Sequence, residues 1–176
     1  MVAIVQKDDP VLRLKASPVP AALFDTPKLR KIVKDMKAAL ASQDDGVAIA
    51  APQIGVSLRI FVVSGRIFEM LYPDRKEEDG KKAYPDVVFI NPEISKLSKE
   101  REEMEEGCLS VRYLYGKIVR AKKAKVKAFD EKGQPFEIGG SGLLAQIFQH
   151  ETDHLEGRLF IDQATDIQDL PPKDDK

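Results

Sequence analysis

In the stretch His150-Glu151-Thr152-Asp153-His154, two imidazoles stand four residues apart with a carboxylate directly after the first. Residues i and i+4 share a face in an α-helix, so the spacing has chemical use only if this segment is helical. The surrounding residues agree. Leu143, Leu144, Ile147, Phe148 and Leu155 recur at helical intervals, Ser141 can cap the start, and Gly157 sits where a helix C-terminal glycine belongs. On such a helix both imidazoles can converge on one metal ion, and Glu151 can reach a water bound there without ligating the metal.

Two histidines do not complete a catalytic metal site, which usually takes three protein ligands and leaves one position open. The 176-residue chain has no other histidine and one cysteine, Cys108. His154-Leu155-Glu156-Gly157 follows the start of H-x-x-G-x-x-H, but Phe160 stands where a third histidine would be. The downstream carboxylates Glu156, Asp162, Asp166 and Asp169 are open candidates. Cys108, in Glu106-Gly107-Cys108-Leu109-Ser110, is the other. A lone cysteine is most often a small buried hydrophobe, but the glycine before this one gives the backbone freedom to aim its sulfur.

A single cysteine forms no intrachain disulfide, and a reducing compartment is the simplest reading. No apolar run approaches the ~20 residues of a spanning helix, and the N-terminus turns charged too soon for a signal segment. The expected location is the cytoplasm, or an organelle matrix for a processed chain, with no membrane partner. Lys plus Arg is 28 against 29 for Asp plus Glu, which argues against direct nucleic-acid readout. The lysines at 122, 123, 125 and 127 read as an exposed strand face.

Thr26 and Pro27 open an amphipathic helix over 27–42, carried by Leu29, Ile32, Val33, Met36 and Leu40. Residues 58–63 read as a strand, 71–85 as a solvated loop, and 87–90 as a strand stopped by Asn91-Pro92. Residues 96–106 suit a charged turn, an edge strand or a short helix. Lys117 to Phe129 alternates like one half-exposed strand, and Asp130 to Gly133 turns into a partner at 136–138. Beyond Asp162 the polar tail, about 163–176, is expected to fray. Helices flanking a strand-rich middle give an α+β class in a single domain, 1–176.

The segment from Gly46 to Gly55 is built of small residues, with Gln53 as its odd polar member. Alone, it reads equally well as a tight apolar connection or as a place of close approach. Taken together, Gly46 to Gln53, Glu106 to Ser110 and Gln149 to Gly157 resemble the three motifs of the peptide deformylase family. Asp9 to Arg13 with Pro18-Val19 is similar to the family's opening.

The resemblance implies antiparallel or mixed sheets around a central C-terminal metal-binding helix. It makes Cys108, His150 and His154 the ligands of one divalent ion, Fe²⁺, with Zn²⁺, Ni²⁺ or Co²⁺ able to substitute. It implies Glu151 as the proton carrier, and the Leu109 N–H and the Gln53 amide as oxyanion donors. The implied partners are N-formylmethionyl nascent peptides, with a transient ribosome contact. Gly46, Val47 and Ala48 would contact the peptide. Leu143, Gln146 and Ile147, which share the His150 face, would wall the methionine pocket.

The chain also departs from the family pattern. Ala48 replaces a usual glycine, Arg112 a common proline, and Gln146 puts an amide on a face expected to be apolar. Asp162 to Lys176 is not the long basic helix by which some members reach the ribosome. The competing readings are an H-E-x-x-H metalloprotease and a formyl-peptide-binding relative without turnover.

Overall fold

The computed structural model describes residues 2–73 and 84–172. In chain order these form α1 (Pro27–Ala41), β1 (Ala48–Ala50), β2 (Ile60–Val63), α2 (Gly65–Leu71), β3 (Val87–Leu97), β4 (Arg101–Gly107), β5 (Leu114–Ala121), β6 (Lys123–Phe129), β7 (Pro135–Ser141), α3 (Leu143–Leu155) and β8 (Thr165–Asp169), with short 3₁₀ turns between. The strands make two antiparallel sheets, one ordered β1-β2-β3-β6-β7 and the other β4-β5-β8. Among the described residues no helix is long and apolar enough to cross a membrane.

The larger sheet lies between the two long helices, and β2 shows why. Phe61 and Val63 pack with Leu144, Ala145, Phe148 and Leu155 of α3. The alternate residues, Ile60 and Val62, pack with Leu29, Val33, Met36 and Leu40 of α1. A strand buried on both faces needs no polar alternation, which accounts for the unbroken apolar run at 60–63. α1 begins as expected, with Thr26 Oγ1 accepting the Leu29 N–H and Pro27 in the first turn. At the centre, Phe61 stacks on Phe89 at 4.5 Å, and Phe89 meets Phe148 edge-on at 5.5 Å.

Several expectations change. Asn91-Pro92 does not end β3. The strand runs on to Leu97 through a register shift between Ile90 and Glu93. A bulge accommodates a proline that has no N–H for the ladder. Asn91 takes a positive φ of 49°, and its amide is tied to Val19 by bonds of 2.7 and 2.9 Å. Residues 96–106 resolve into the end of β3 and β4, an edge strand of the small sheet.

The stretch 117–129 is not one strand. It breaks at Lys122 into β5 and β6, which belong to different sheets. At that switch the Gln149 side chain of α3 bonds both backbone groups of Ala121, at 2.9 and 3.0 Å, standing in for a strand neighbour. Ser141 does not cap α3: it pairs with Lys123 as the last residue of β7, and the cap is Gly142, with φ 56° and no side-chain bond.

The tail does not fray over 165–169, because β8 pairs with the open edge of β5 through backbone bonds that its exposed polar side chains do not advertise. Residues 173–176 lie outside the described residues. So does most of the loop expected at 71–85, from 74 to 83, while α2 was not anticipated. Gly157 ends the α3 turn with φ 73°, and a Cβ there would lie 2.6 Å from the Arg13 carbonyl oxygen. Phe148 is fully buried against both central rings. Phe148→Ala is therefore expected to cost about 3–5 kcal/mol, read from urea unfolding. A loss below about 1 kcal/mol would contradict this packing.

Candidate metal centre and active site

α3 carries His150 and His154 on one face, with ring centroids 4.9 Å apart. Cys108 follows directly on β4, and its Sγ lies 3.2 Å from His154 Nε2. One ligand atom from each of Cys108, His150 and His154 lies within 4.8 Å of the others, the one such cluster among the described residues. None of the four rival carboxylates joins the cluster, and three are engaged elsewhere. Glu156 pairs with Arg59 at 2.6 Å, Asp162 with Arg13 at 2.6 Å, and Asp166 with Lys117 at 3.4 Å. Phe160 presents its ring to His150 at 6.3 Å rather than a donor.

Behind this cluster stands a buried charge network that sequence reasoning missed. Glu106 Oε1 accepts hydrogen bonds from His150 Nδ1 at 2.6 Å and Arg120 Nη2 at 2.7 Å. Its Oε2 accepts from Arg120 Nε at 3.1 Å and Gln146 Nε2 at 3.3 Å. Arg120 Nη1 donates to Asp153 at 2.6 Å. Burial alone would raise the Glu106 pKa, but the bonds from His150 and Arg120 outweigh it and hold the carboxyl at about 2. A carboxylate at Nδ1 fixes a proton there and leaves Nε2 as the nitrogen of His150 that a metal could use. The motif that contains Glu106 was visible in the sequence; its partner Arg120, fourteen residues on, carried no signal.

The donor set fits a divalent ion. It offers a thiol and two imidazoles whose ligand atoms converge, one imidazole backed by a carboxylate. Glu151 sits beside them, 3% exposed. Burial raises its carboxyl to about 7. Its Oε2 is sealed from solvent and has no hydrogen-bond partner among the described residues, as suits a group whose partner arrives with the chemistry.

The cavity beside the cluster is lined by Val47, Ala48, Gln53, Leu109, Leu143, Gln146 and Ile147 among others. Gln53 is held in one orientation: Oε1 accepts the Ala50 N–H at 2.8 Å, so Nε2 faces Ser110 Oγ at 3.1 Å and Cys108 Sγ at 3.6 Å. The Leu109 N–H makes no hydrogen bond among the described residues. Ala48 lies in extended β1, so its methyl requires no positive φ. Gly46, expected at the peptide wall, does not line the cavity. It is buried against Leu40, whose Cδ1 would lie 2.9 Å from a Cβ there.

Arg112 closes the rim. Its guanidinium holds Asp45 at 2.5 and 2.9 Å and Gln43 Oε1 at 2.9 Å, joining the segment after Cys108 to the one before β1. The Arg112 hydrogen bond keeps the Asp45 carboxyl below its ordinary pKa. A depressed carboxyl stabilises the fold above its unfolded pKa, and that contribution is lost as pH falls through the folded value. Asp45→Asn is therefore expected to lower the urea midpoint at pH 7 but not at strongly acid pH. A difference that ignores pH would contradict the pairing.

The comparisons agree with this geometry. The family model described as polypeptide deformylase matches residues 1–169. A peptide deformylase from Acidothermus cellulolyticus is 43% identical over 155 residues, 88% of this chain and 74% of that protein. Peptide deformylase 1 of Pseudomonas syringae is 38% identical over 159 residues, 90% of this chain and 85% of that one. Among solved structures, a class I type b peptide deformylase from Acinetobacter baumannii bound to Met-Ala-Ser superposes with a TM-score of 0.77. It is 36% identical, and the match covers 92% of this chain and 97% of that one. A Legionella pneumophila peptide deformylase gives 0.76 at 41% identity, covering 93% and 85%. Motifs, fold and relatives converge, and the chain belongs to the polypeptide deformylase family.

Proposed function

We propose that Cys108, His150 and His154 hold a divalent ion and that Glu151 moves the proton in the reaction this enzyme catalyses. That reaction is hydrolysis of the N-formyl group from the formylmethionine of a nascent peptide, with release of formate. The observation that carries the assignment is the approach of Cys108 Sγ to His154 Nε2, 3.2 Å apart, with the unpaired Glu151 beside them. A bound ion supplies Lewis acidity, lowering the pKa of a water and polarising the formyl oxygen.

The remaining steps belong to the chain. Glu151 Oε2 takes the proton of the attacking water and later delivers it to the departing amine nitrogen, leaving formate and a free N-terminus. The Leu109 N–H and Gln53 Nε2 are the donors for the negative oxygen that develops on the formyl carbon. Ala50 fixes which way the Gln53 amide points, and the oxyanion takes the donor that otherwise faces Ser110 Oγ or Cys108 Sγ. Ala48, on edge strand β1, and Val47 just before it meet an extended peptide, while Leu143, Gln146 and Ile147 wall its first side chain.

Fe²⁺ is the proposed ion, on the family resemblance, and the thiolate and two imidazoles would equally accept Zn²⁺, Ni²⁺ or Co²⁺. The chain acts as one domain in the cytoplasm or an organelle matrix, in transient contact with the ribosome. Against the metalloprotease alternative, no downstream carboxylate joins Cys108, His150 and His154 among the described residues.

Formate release from formyl-Met-Ala-Ser, measured without oxygen on Fe²⁺-loaded protein, tests this. Glu151→Gln is expected to lower kcat by about 10²–10⁴-fold while keeping the metal. Cys108→Ala is expected to lose the metal. No release by the parent, or equal release by Glu151→Gln, would overturn the assignment.

A further inference from the structure

Gln146 interrupts the apolar wall of the cavity between Leu143 and Ile147, one turn before His150. It is 8% exposed, and its amide can point only one way. One end faces the Glu105 carbonyl at 2.8 Å and Glu106 Oε2 at 3.3 Å. Both are acceptors, so the end that faces them is the NH₂ group. Oε1 is left on the other side and accepts no hydrogen bond among the described residues. It is not a sealed atom either: the solvent-sealed, unpartnered side-chain atoms among the described residues are Glu151 Oε2 and His154 Nδ1. A locked acceptor therefore opens on the cavity.

Methionine's thioether has no donor to offer such an oxygen, and an apolar residue here would serve it as well. A side chain of similar length that ends in an N–H would complete the bond without any movement of the wall. Held from behind by a carbonyl and a carboxylate, the amide has already given up its rotational freedom, so the ligand's donor meets a preorganised partner.

We propose that Gln146 is a specificity-determining residue: the pocket accepts, beside methionine, first side chains of that length ending in a hydrogen-bond donor, glutamine being the test case. The inference rests on the pocket assignment made under Proposed function. Because the same amide donates to Glu106, replacing Gln146 also removes one of the bonds that hold His150's partner. Any loss of metal this causes acts on all substrates alike and cancels in a ratio of substrates.

The test compares kcat/KM for formate release from formyl-norleucyl-Ala-Ser and formyl-Gln-Ala-Ser, using metal-loaded wild type, Gln146→Leu and Gln146→Met. Both replacements are expected to raise the norleucine-to-glutamine ratio about tenfold or more, through KM on the glutamine peptide. Calorimetric affinity for the product Gln-Ala-Ser is expected to fall in parallel relative to that for Met-Ala-Ser in the same metal-loaded variant. A ratio within twofold of wild type in both variants would overturn the proposal. Should neither variant fold, wild-type binding decides: Gln-Ala-Ser bound more than about 100-fold more weakly than norleucyl-Ala-Ser would overturn it. Failure of wild type to release formate from formyl-Met-Ala-Ser would instead strike the deformylase reading, and the binding comparison would still judge Gln146.

Discussion

The Glu106 carboxylate, taken out of water between β4, β5 and α3, is the interaction on which the site depends. A buried charge is tolerated only when paired and fully hydrogen-bonded, and Glu106 receives four bonds, from Arg120, His150 and Gln146. Those bonds fix three elements at once. Arg120 continues to Asp153, so the helix is held at Gln146, His150 and Asp153, before and within the turn that carries the two histidines. The same carboxylate decides which nitrogen of His150 carries a proton.

This arrangement needs a helix that does not shift, and the core supplies it. α3 seats Leu144, Ala145, Phe148 and Leu155 on one face of the large sheet, while α1 covers the other. A third apolar group, with Leu12, Val111, Ile118, Leu159 and Phe160, backs the small sheet that delivers Cys108. The histidines thus come from the large-sheet side and the cysteine from the small-sheet side. The cavity opens along the seam, lined by Ala48 of the first sheet with Val47 before it, and by Arg112 and Tyr113 beyond β4 of the second.

What was legible in the sequence was local and periodic. The i, i+4 histidines required a helix and obtained one, the Thr26-Pro27 start of α1 was read correctly, and three short motifs were enough to identify the family. What was not legible depends on partners distant in sequence. In Lys117 to Phe129 the Lys122-Lys123 doublet breaks the alternation, but nothing in it says that the two halves join different sheets; Gln149 makes the change possible from across the fold. β8 is held through its backbone, and composition sees only exposed side chains. Glu106 and Arg120 each look like ordinary strand charges until folding buries them together. Gln146, which read as a flaw in an apolar face, has two hydrogen bonds that explain its place there.

The most direct test of this account measures Zn²⁺ affinity against a competing chelator for wild type and Glu106→Gln, a change that leaves Cys108, His150 and His154 untouched. If Glu106 orients His150 for the metal, the variant should bind about 10–100-fold more weakly. An unchanged affinity in a folded variant would contradict it.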